Sequence, residues 1–282
     1  MINVITSIPE LRERVKSWKQ EGKSVGLVPT MGFLHEGHQS LMHRAKAEND
    51  KVVVSIFVNP MQFGPKEDLA SYPRDFERDS QRCAEEGVDV IFHPEATEMY
   101  SKNFSSYVDM TGLTEELCGK SRPGHFRGVC TVVSKLFNIV QPNRAYFGEK
   151  DAQQLAVIRR MVRDLNIDVS VVGCPIVREA DGLAKSSRNS YLDFEQRRAA
   201  VCLYRAIQLA QKLVFDGERD GLALASRLKD EIKREPLAKV DYISLVDADS
   251  LRPVERIEDR TLCALAVYIG STRLIDNCTL SV

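Results

Sequence analysis

The chain has 282 residues, of which 43% are hydrophobic and 28% charged, which is typical of a globular protein with one large or two ordinary domains. Its formal net charge of −1 argues against a protein that binds nucleic acid through bulk positive charge, so we expect no nucleic-acid partner. No apolar run approaches the about 20 residues of a membrane span, and seven dispersed cysteines without C-x-x-C spacing indicate reduced thiols in a cytoplasmic protein.

The first half of the chain alternates β-branched runs with helical patterns. Apolar runs predict strands at 25–28, 51–58 and 88–92, with a helix-length segment between the first two and a polar helix at 75–86. Further patterns predict a helix at 125–140, a strand at 145–147, a helix at 150–166 and a strand at 169–172. This order predicts a Rossmann-like parallel sheet with helices on both faces.

The composition changes near residue 175. Helical patterns at 194–215 and 222–232 are followed by strand patterns at 240–246, 262–269 and 273–280, the last two joined by a Gly270-Ser271-Thr272 turn. We therefore predict two domains, a Rossmann-like domain over 1–175 and a smaller α+β domain over 176–282, with Cys174-Pro175 as the hinge.

Residues 28–38 read Val-Pro-Thr-Met-Gly-Phe-Leu-His-Glu-Gly-His and join a predicted strand to a predicted helix. A helix start has free N–H groups and a positive dipole end, and both attract anions. His35 and His38 can donate to phosphate oxygens there. Two alternatives remain: a zinc site, although His-Glu-Gly-His is one residue short of H-E-x-x-H and spacing indicates no third ligand, and a purely structural role.

Four further segments combine glycine or proline with polar side chains. They are Asn59-Pro60-Met61-Gln62-Phe63-Gly64, Ser121-Arg122-Pro123-Gly124-His125-Phe126-Arg127-Gly128, Phe147-Gly148-Glu149-Lys150-Asp151 and Gly182-Leu183-Ala184-Lys185-Ser186-Ser187-Arg188-Asn189. The last two offer cations for phosphates, and the first offers Gln62, whose amide both donates and accepts. The last three also have ordinary explanations, as a helix entry, a helix cap and a polar loop respectively.

Open α/β sheets bind ligands at the carboxyl ends of their strands. The segments at 29–38, 59–65 and 148–151 each follow a predicted strand. We therefore expect these three segments to meet at one cleft.

Taken together, the segments resemble the pantoate–β-alanine ligase family over nearly the whole chain. The matching parts are Pro29-Thr30-Met31-Gly32-x-Leu34-His35-x-Gly37-His38, Phe57-Val58-Asn59-Pro60-x-Gln62-Phe63, Arg122-Pro123-Gly124-His125-Phe126-x-Gly128-Val129, Phe147-Gly148-Glu149-Lys150-Asp151-x-Gln153-Gln154 and Ser186-Ser187-Arg188-Asn189. The His-x-Gly-His part by itself marks the wider nucleotidylyltransferase superfamily. Residue 185 departs from the resemblance, since the family often has methionine there; Lys185 is expected to add a cation near the phosphates.

The resemblance implies an ATP-dependent ligase that works in two half-reactions assisted by Mg²⁺. The carboxylate of (R)-pantoate attacks the α-phosphate of ATP, which gives pantoyl adenylate and diphosphate, and β-alanine then displaces AMP to give pantothenate. The resemblance also implies a cytoplasmic homodimer in the synthesis of coenzyme A precursors. Because an acyl adenylate is prone to hydrolysis, we expect the smaller domain to close as a lid.

Site residues follow from the resemblance by position. It implies catalytic roles for His35, His38, Lys150 and Arg188. It implies ATP-binding roles for Met31, Gly32, Phe33, Leu34, His35, Glu36, Gly37, His38, Gly148, Glu149, Lys150, Asp151, Val177, Lys185, Ser186, Ser187 and Arg188. It implies pantoate-binding roles for Gln62, Gln154, Met31, Phe57, Val132 and Val133, and a β-alanine-binding role for Gln62. No protein residue is assigned as a metal ligand.

Three other functions are open at the level of sequence. One is a nucleotidylyltransferase that stops after adenylyl transfer, which would release diphosphate without needing β-alanine. Another is a nucleotide-binding regulator without catalysis, although the intact His35, His38, Lys150 and Arg188 speak against it. The third is a metalloprotein that uses His35 and His38.

Overall fold

A computed structural model describes residues 2–65 and 67–282, which form two compact units. One unit comprises the described residues of 2–110, 122–149 and 157–175. The other comprises 111–121, 150–156 and 176–282. The unit that contains the predicted C-terminal domain thus also takes in two earlier segments, one of which carries Lys150.

The elements follow one another in the order strand, helix, strand through most of the first half. They are β1 (Asn3–Ile5), α1 (Ile8–Gln20), β2 (Val25–Thr30), α2 (Glu36–Glu48), β3 (Lys51–Ile56), α3 (Phe76–Glu85), β4 (Val90–Phe92), α4 (Ala96–Met99), α5 (Leu117–Ser121), α6 (His125–Val140), β5 (Arg144–Gly148), α7 (Ala152–Asp164), β6 (Ser170–Cys174), α8 (Phe194–Ala199), α9 (Cys202–Phe215), α10 (Gly221–Lys233), β7 (Ala238–Asp247), β8 (Thr261–Ile269) and β9 (Thr272–Leu280). Short 3₁₀ turns lie at Pro60–Gln62, Glu149–Asp151 and Ser187–Tyr191. Among the described residues no helix is both long and apolar enough to cross a membrane.

The first unit is built on a parallel sheet with the strand order β1-β4-β3-β2-β5-β6, which confirms the predicted Rossmann-like sheet. From β2 the chain proceeds to β3 and β4 on one side, and β5 and β6 then lie on the other side of β2. The strand order therefore reverses between β2 and β5, and the carboxyl ends of β3, β2 and β5 are neighbours. Such a reversal point is where open α/β sheets bind ligands.

The β-branched strands of this sheet are buried on both faces. Val28 and Val54 pack with Met42 of α2 in one hydrophobic cluster. Leu27 and Val53, which alternate with them along the strands, are also fully buried. Burial on both faces explains why these strands read as continuous apolar runs, and it is consistent with helices covering both sides.

The second unit contains an antiparallel sheet in the order β7-β8-β9, which confirms a smaller α+β arrangement in the C-terminal part. Its core joins apolar side chains of α9 and α10, such as Leu203 and Leu228, to Leu265 and Val267 of β8. β8 is the central strand, so its residues are almost all buried.

The sequence predictions differ from the structure at a few elements. β1 and α1 were not predicted: β1 has three residues, too few for a periodic pattern, whereas α1 carries a readable stripe of Leu11, Val15 and Trp18. The single helix predicted at 194–215 is two helices, although Ala200 and Val201 between them keep helical backbone angles. The predicted turn at 270–272 is shorter, because Thr272 already belongs to β9.

Candidate active site

The loop after β2 turns sharply before α2 begins. The Thr30 hydroxyl donates to the carbonyl of Ser55 on β3 at 2.7 Å and accepts the N–H of Gly32 at 3.1 Å. Gly32 and Phe33 both adopt positive φ angles, +80° and +49°. A non-glycine residue with positive φ is uncommon, so Phe33 needs support from its surroundings.

That support is the carboxylate of Asp79 on α3. Its two oxygens accept the N–H groups of Phe33 at 2.7 Å and Leu34 at 2.6 Å. Asp79 is only 1% exposed, and this burial raises the pKa of its carboxyl above the ordinary value, against the opposing effect of the two N–H groups. A Cβ on Gly32 would lie 2.9 Å from this carboxylate, so the close approach requires glycine. Asp79 was missed at the sequence level because it lies in a polar helix with no motif.

His35 and His38 form the N-terminal cap of α2. The Nδ1 of His35 accepts the N–H of Gly37 at 3.1 Å, and the Nδ1 of His38 accepts the N–H of His35 at 3.3 Å. The ring centroids are 4.0 Å apart. Because each Nδ1 acts as an acceptor, the proton of each neutral imidazole is assigned to Nε2. Both rings lie at the start of a 13-residue helix, a position that favours anions.

Gln62 lies after β3 and is held by neighbours in the same unit. Its Oε1 accepts from the Nδ2 of Asn59 at 3.1 Å, and its Nε2 lies 3.0 Å from the sulfur of Met31. The Oδ1 of Asn59 in turn accepts the hydroxyl of Tyr100 at 2.8 Å. Gln62 is only 9% exposed, so its hydrogen-bonded amide is buried. The structure thus brings together Met31 and Gln62, two of the residues predicted for pantoate.

The main chain of Gln62 is fixed by the segment before α6. The Nδ1–H of His125 donates to the carbonyl of Gln62 at 2.9 Å, and the Nε2 of His125 accepts from Arg122 at 3.0 Å. Arg122 also makes a bidentate ion pair with Glu67, at 2.7 and 2.6 Å. Burial opposes ionisation of Glu67, but Arg122 outweighs it and lowers the pKa of this carboxyl. A cavity of about 310 Å³ lies beside this segment and is lined in part by Met61, Phe63, Pro123, His125 and Arg127.

The remaining predicted residues of the first unit lie directly after β3, in α6 and at the end of β5. Phe57, Val132 and Val133 are buried apolar side chains, as a wall for a hydrocarbon group requires. Gly148 ends β5, and a Cβ built on it would meet nothing within 4 Å. A ligand can therefore approach the main chain closely there, next to Glu149.

In the second unit, Lys150 lies in the 3₁₀ turn before α7. Its ammonium is 4.0 Å from the carboxylate of Asp151, and its main-chain carbonyl accepts the side-chain amide of Asn277 on β9 at 2.8 Å. Gln154, predicted for pantoate, lies half-buried in the first turn of α7. The adjacent Gln153 is structural, because its buried amide bonds to the main chain of Cys118 at 2.8 Å.

The segment from Val177 to Arg188 forms a tight hairpin. The N–H of Lys185 donates to the carbonyl of Val177 at 2.9 Å, which brings these two predicted ATP ligands together. Ser186 then caps the following 3₁₀ turn, its hydroxyl accepting the N–H of Arg188 at 3.3 Å, and Ser187 is buried. The ammonium of Lys185 lies 3.2 Å from the carboxylate of Glu179, so the extra cation of this chain is ion-paired.

The two neighbouring histidines also raise the alternative of a metal site. A zinc site at His35 and His38 needs a third ligand, and the part of the chain that the structure describes holds no group of three or more His, Cys, Asp and Glu side chains placed for a metal ion.

A doubly wound parallel sheet with a histidine-capped helix at the reversal of strand order defines an α/β enzyme of nucleotide chemistry. The pantoate-beta-alanine ligase family matches residues 3–279, and the chain belongs to this family of ligases, which form an amide bond. It is 60% identical to pantothenate synthetase of Enterococcus faecalis over 276 residues, covering 98% of each chain, and 55% identical to that of Clostridium acetobutylicum over 278 residues, covering 99% of each.

Solved structures agree with this assignment. The fold is similar to pantothenate synthetase from Thermus thermophilus, with a TM-score of 0.95 and 45% identity over the whole of both chains. It is also similar to pantoate-beta-alanine ligase from Francisella tularensis, solved in complex with beta-gamma ATP and beta-alanine, with a TM-score of 0.83 and 35% identity over 99% of this chain and 98% of that one.

Proposed function

We propose that this protein condenses (R)-pantoate with β-alanine at the expense of ATP and forms pantothenate, AMP and diphosphate. In the first step a carboxylate oxygen of pantoate bonds to the α-phosphorus. The bond between the α-phosphorus and the oxygen that bridges it to the β-phosphorus breaks, and diphosphate leaves. In the second step the β-alanine nitrogen bonds to the acyl carbon, the bond to AMP breaks, and the amine loses a proton. The family match and the geometry of both units support this reaction.

The observation that carries the proposal is the capping geometry of His35 and His38, in which each Nδ1 accepts a main-chain N–H and the ring proton is therefore assigned to Nε2. Attack at the α-phosphorus increases negative charge on the phosphoryl oxygens and on the departing diphosphate. Two imidazole donors at a helix start stabilise that charge, and each gains strength as the charge develops. The Asp79 contacts hold the preceding loop in place, so these donors need little reorganisation when ATP binds.

Gln62 and its neighbours suit the acid substrate. The amide of Gln62 can donate to a carboxylate and accept from a hydroxyl, which are the two polar groups at the reacting end of pantoate. Phe57, Val132 and Val133 offer the apolar surface that its dimethyl group requires. We assign β-alanine to the vicinity of Gln62 and the further pantoate contact to Gln154.

The second unit supplies cations and hydroxyls for the phosphates. We assign Lys150 and Arg188 to the charge that develops on ATP, and Ser186 and Ser187 to hydrogen bonds with phosphate oxygens. Main-chain groups at Gly32, Gly148 and Val177 complete the proposed nucleotide contacts, together with the other ATP ligands predicted from the sequence.

Mg²⁺ is proposed as the partner of ATP. It is normally held through phosphates, water and one or two carboxylates, so the absence of a three-ligand cluster among the described residues is compatible with it. When bound, the ion would neutralise charge on the phosphates. The protein groups derived above bind and orient the substrates and donate hydrogen bonds to phosphate oxygens.

We further propose a cytoplasmic homodimer. All seven cysteines are free, and six of them are buried. Burial raises the pKa of the Cys83, Cys130 and Cys202 thiols to about 12, which keeps them protonated and unreactive. Unpaired thiols are typical of a reducing compartment. The homodimer is proposed because the chain belongs to the pantoate-beta-alanine ligase family.

The test separates the two half-reactions. Pantoate, ATP and Mg²⁺ are supplied with and without β-alanine, and pantoyl adenylate, diphosphate, AMP and pantothenate are measured. We expect adenylate and diphosphate in a single turnover without β-alanine, and AMP and pantothenate when it is added. Release of AMP regardless of β-alanine, with no adenylate formed in its absence, would contradict the ligase assignment.

A further inference from the structure

Two segments of the second unit carry its proposed phosphate-binding groups, and each is contacted by one of two consecutive residues of β9. Asn277 is 7% exposed and reaches the 3₁₀ turn of Lys150. Asp276 is 2% exposed and reaches the hairpin that leads to Arg188. Neither residue belongs to a sequence motif described above, and neither is among the expected substrate ligands.

The contact of Asn277 fixes the main chain of Lys150. Its Nδ2 donates to the carbonyl of Lys150 at 2.8 Å, across 127 positions of sequence. The acceptor is a carbonyl, so the amide must present its NH₂ group here. Because the carbonyl belongs to the residue that carries the ammonium, this bond sets the starting point of the Lys150 side chain.

The contact of Asp276 fixes the hairpin. Its oxygens accept from the two terminal nitrogens of Arg178 at 2.7 and 2.9 Å, and one of them also accepts the N–H of Asn277 at 2.8 Å. Arg178 further donates to the carbonyl of Gly182 at 3.0 Å and stacks 4.8 Å from the ring centroid of Tyr204. Gly182 has a φ of +92°, and a Cβ there would lie 1.9 Å from Tyr204. The hairpin therefore has one well-determined conformation.

We propose that Asp276 and Asn277 are positioning residues for adenylate formation, Asn277 acting through Lys150 and Asp276 acting through Arg178 on the segment that ends at Arg188. This inference rests on the phosphate-binding roles given to Lys150 and Arg188 under the proposed function. A strand that anchors both groups sets their spacing before ATP binds. A misplacement of about 1 Å in such a group can cost about 100-fold in rate.

The test is a double-mutant cycle between Asn277→Ala and Lys150→Ala, read by single-turnover formation of pantoyl adenylate without β-alanine. We expect Asn277→Ala to lower that rate about 10- to 100-fold, with a smaller change in the KM for ATP. In the Lys150→Ala background it should have little further effect, because the group that it positions is gone. Thr279→Ala, an exposed position on the same face of β9, is the matched control and should leave the rate unchanged.

The outcomes separate the inference from the function on which it depends. Equal effects of Asn277→Ala in both backgrounds, or a lowered melting temperature with an unchanged rate in the folded protein, would refute positioning. If the unsubstituted protein forms no pantoyl adenylate, the proposed function fails instead. A normal rate in the unsubstituted protein together with a normal rate in Asn277→Ala overturns the inference alone.

Asp276 is tested in the same assay against Arg188→Ala. Asp276→Asn removes the charge that pairs with Arg178, and we expect a slower adenylate step that is not additive with Arg188→Ala. If Asp276→Asn does not fold, Arg178→Lys keeps the charge, loses the bidentate geometry, and takes its place. Additive effects in this second cycle refute the role of Asp276.

Discussion

The carboxylate of Asp79 accepts the main-chain N–H of Leu34 at 2.6 Å, which joins helix α3 to the loop that precedes the two histidines. Its second oxygen accepts the N–H of Phe33 at 2.7 Å. A buried acceptor with two N–H donors holds this loop in a conformation that includes positive φ angles at Gly32 and Phe33. The loop that leads to His35 and His38 is therefore held in one conformation by Asp79.

Replacing Asp79 tests that support. In Asp79→Asn one amide oxygen remains as an acceptor, and the NH₂ group faces an N–H donor. We expect the free energy of unfolding to fall by about 1–3 kcal/mol and the rate of adenylate formation to fall about tenfold or more. Urea titration and single-turnover kinetics measure the two effects. Glu77→Gln, on the exposed face of the same helix, is the control, and a normal rate in Asp79→Asn would argue against this role.

His38→Ala and Lys150→Ala each remove one proposed donor to the phosphates. Loss of one such donor typically costs about 10²–10³ in rate. We expect adenylate formation to fall by that amount in each variant while circular dichroism shows that both variants remain folded. His38→Ala also loses the hydrogen bond from the N–H of His35 to the His38 ring, so we expect a modest drop in its melting temperature. Near-normal turnover in both variants would remove the phosphate-donor roles from the mechanism.

Acid stability provides a test of the fold through Asp89. Its carboxylate lies 2.8 Å from the ammonium of Lys46 and 3.0 Å from that of Lys51, and it accepts the N–H of Val52 at 2.9 Å. Burial opposes ionisation, but these partners outweigh it and lower the pKa of Asp89 below its ordinary value of 3.8. The stabilisation is therefore present above the unfolded-state pKa and is lost as the pH falls through the folded-state pKa.

We expect Asp89→Asn to lower the free energy of unfolding at pH 7 by about 1–2 kcal/mol and to flatten its decline below about pH 4. Urea titrations at a series of pH values measure both effects. Glu95→Gln, an exposed carboxylate, is the control. An unchanged pH profile in Asp89→Asn would mean that the ion pairs of Asp89 with Lys46 and Lys51 do not contribute.

Lys185 replaces the methionine that the family often has at this position, so its substitution tests how much this additional cation contributes to ATP binding. Its ammonium is ion-paired with Glu179 at 3.2 Å, so much of its charge is already compensated. We expect Lys185→Met to raise the KM for ATP by less than about tenfold, that is, by less than about 1.4 kcal/mol, and Arg188→Ala to have a much larger effect on the rate. Steady-state kinetics at two salt concentrations measure both. An effect of Lys185→Met as large as that of Arg188→Ala would contradict this ranking.

Metal removal distinguishes the proposed Mg²⁺ from a resident zinc. We expect chelation to stop adenylate formation and added Mg²⁺ to restore it, because Mg²⁺ enters with ATP and is bound largely through phosphates. Elemental analysis of the purified protein should find no stoichiometric zinc. One tightly held zinc per chain would revive the metal-site interpretation of His35 and His38.

The sequence was most informative where a local hydrophobic pattern is bounded by residues that begin or end a helix or strand. The helix predicted at 125–140 begins and ends where α6 does, because its apolar spacing is bounded by Gly124 and by Gln141-Pro142. The parallel strands were recognisable since burial on both faces requires apolar runs. The motif at 28–38 was legible because a strand, a glycine and a helix start follow one another along the chain.

Other features depended on contacts between distant parts of the chain. Asp79, Asp276 and Asn277 looked like ordinary polar residues, and their importance comes from partners 45, 98 and 127 positions away. The protonated nitrogen of His38 likewise follows from a main-chain N–H at its other nitrogen. Sequence by itself thus determined the class of sheet and the family, and it supplied the side chains proposed for the chemistry, because these are encoded in local order and spacing. Only the tertiary structure decided how those side chains are held, because the energy of a buried hydrogen bond or ion pair depends on geometry that local spacing does not contain.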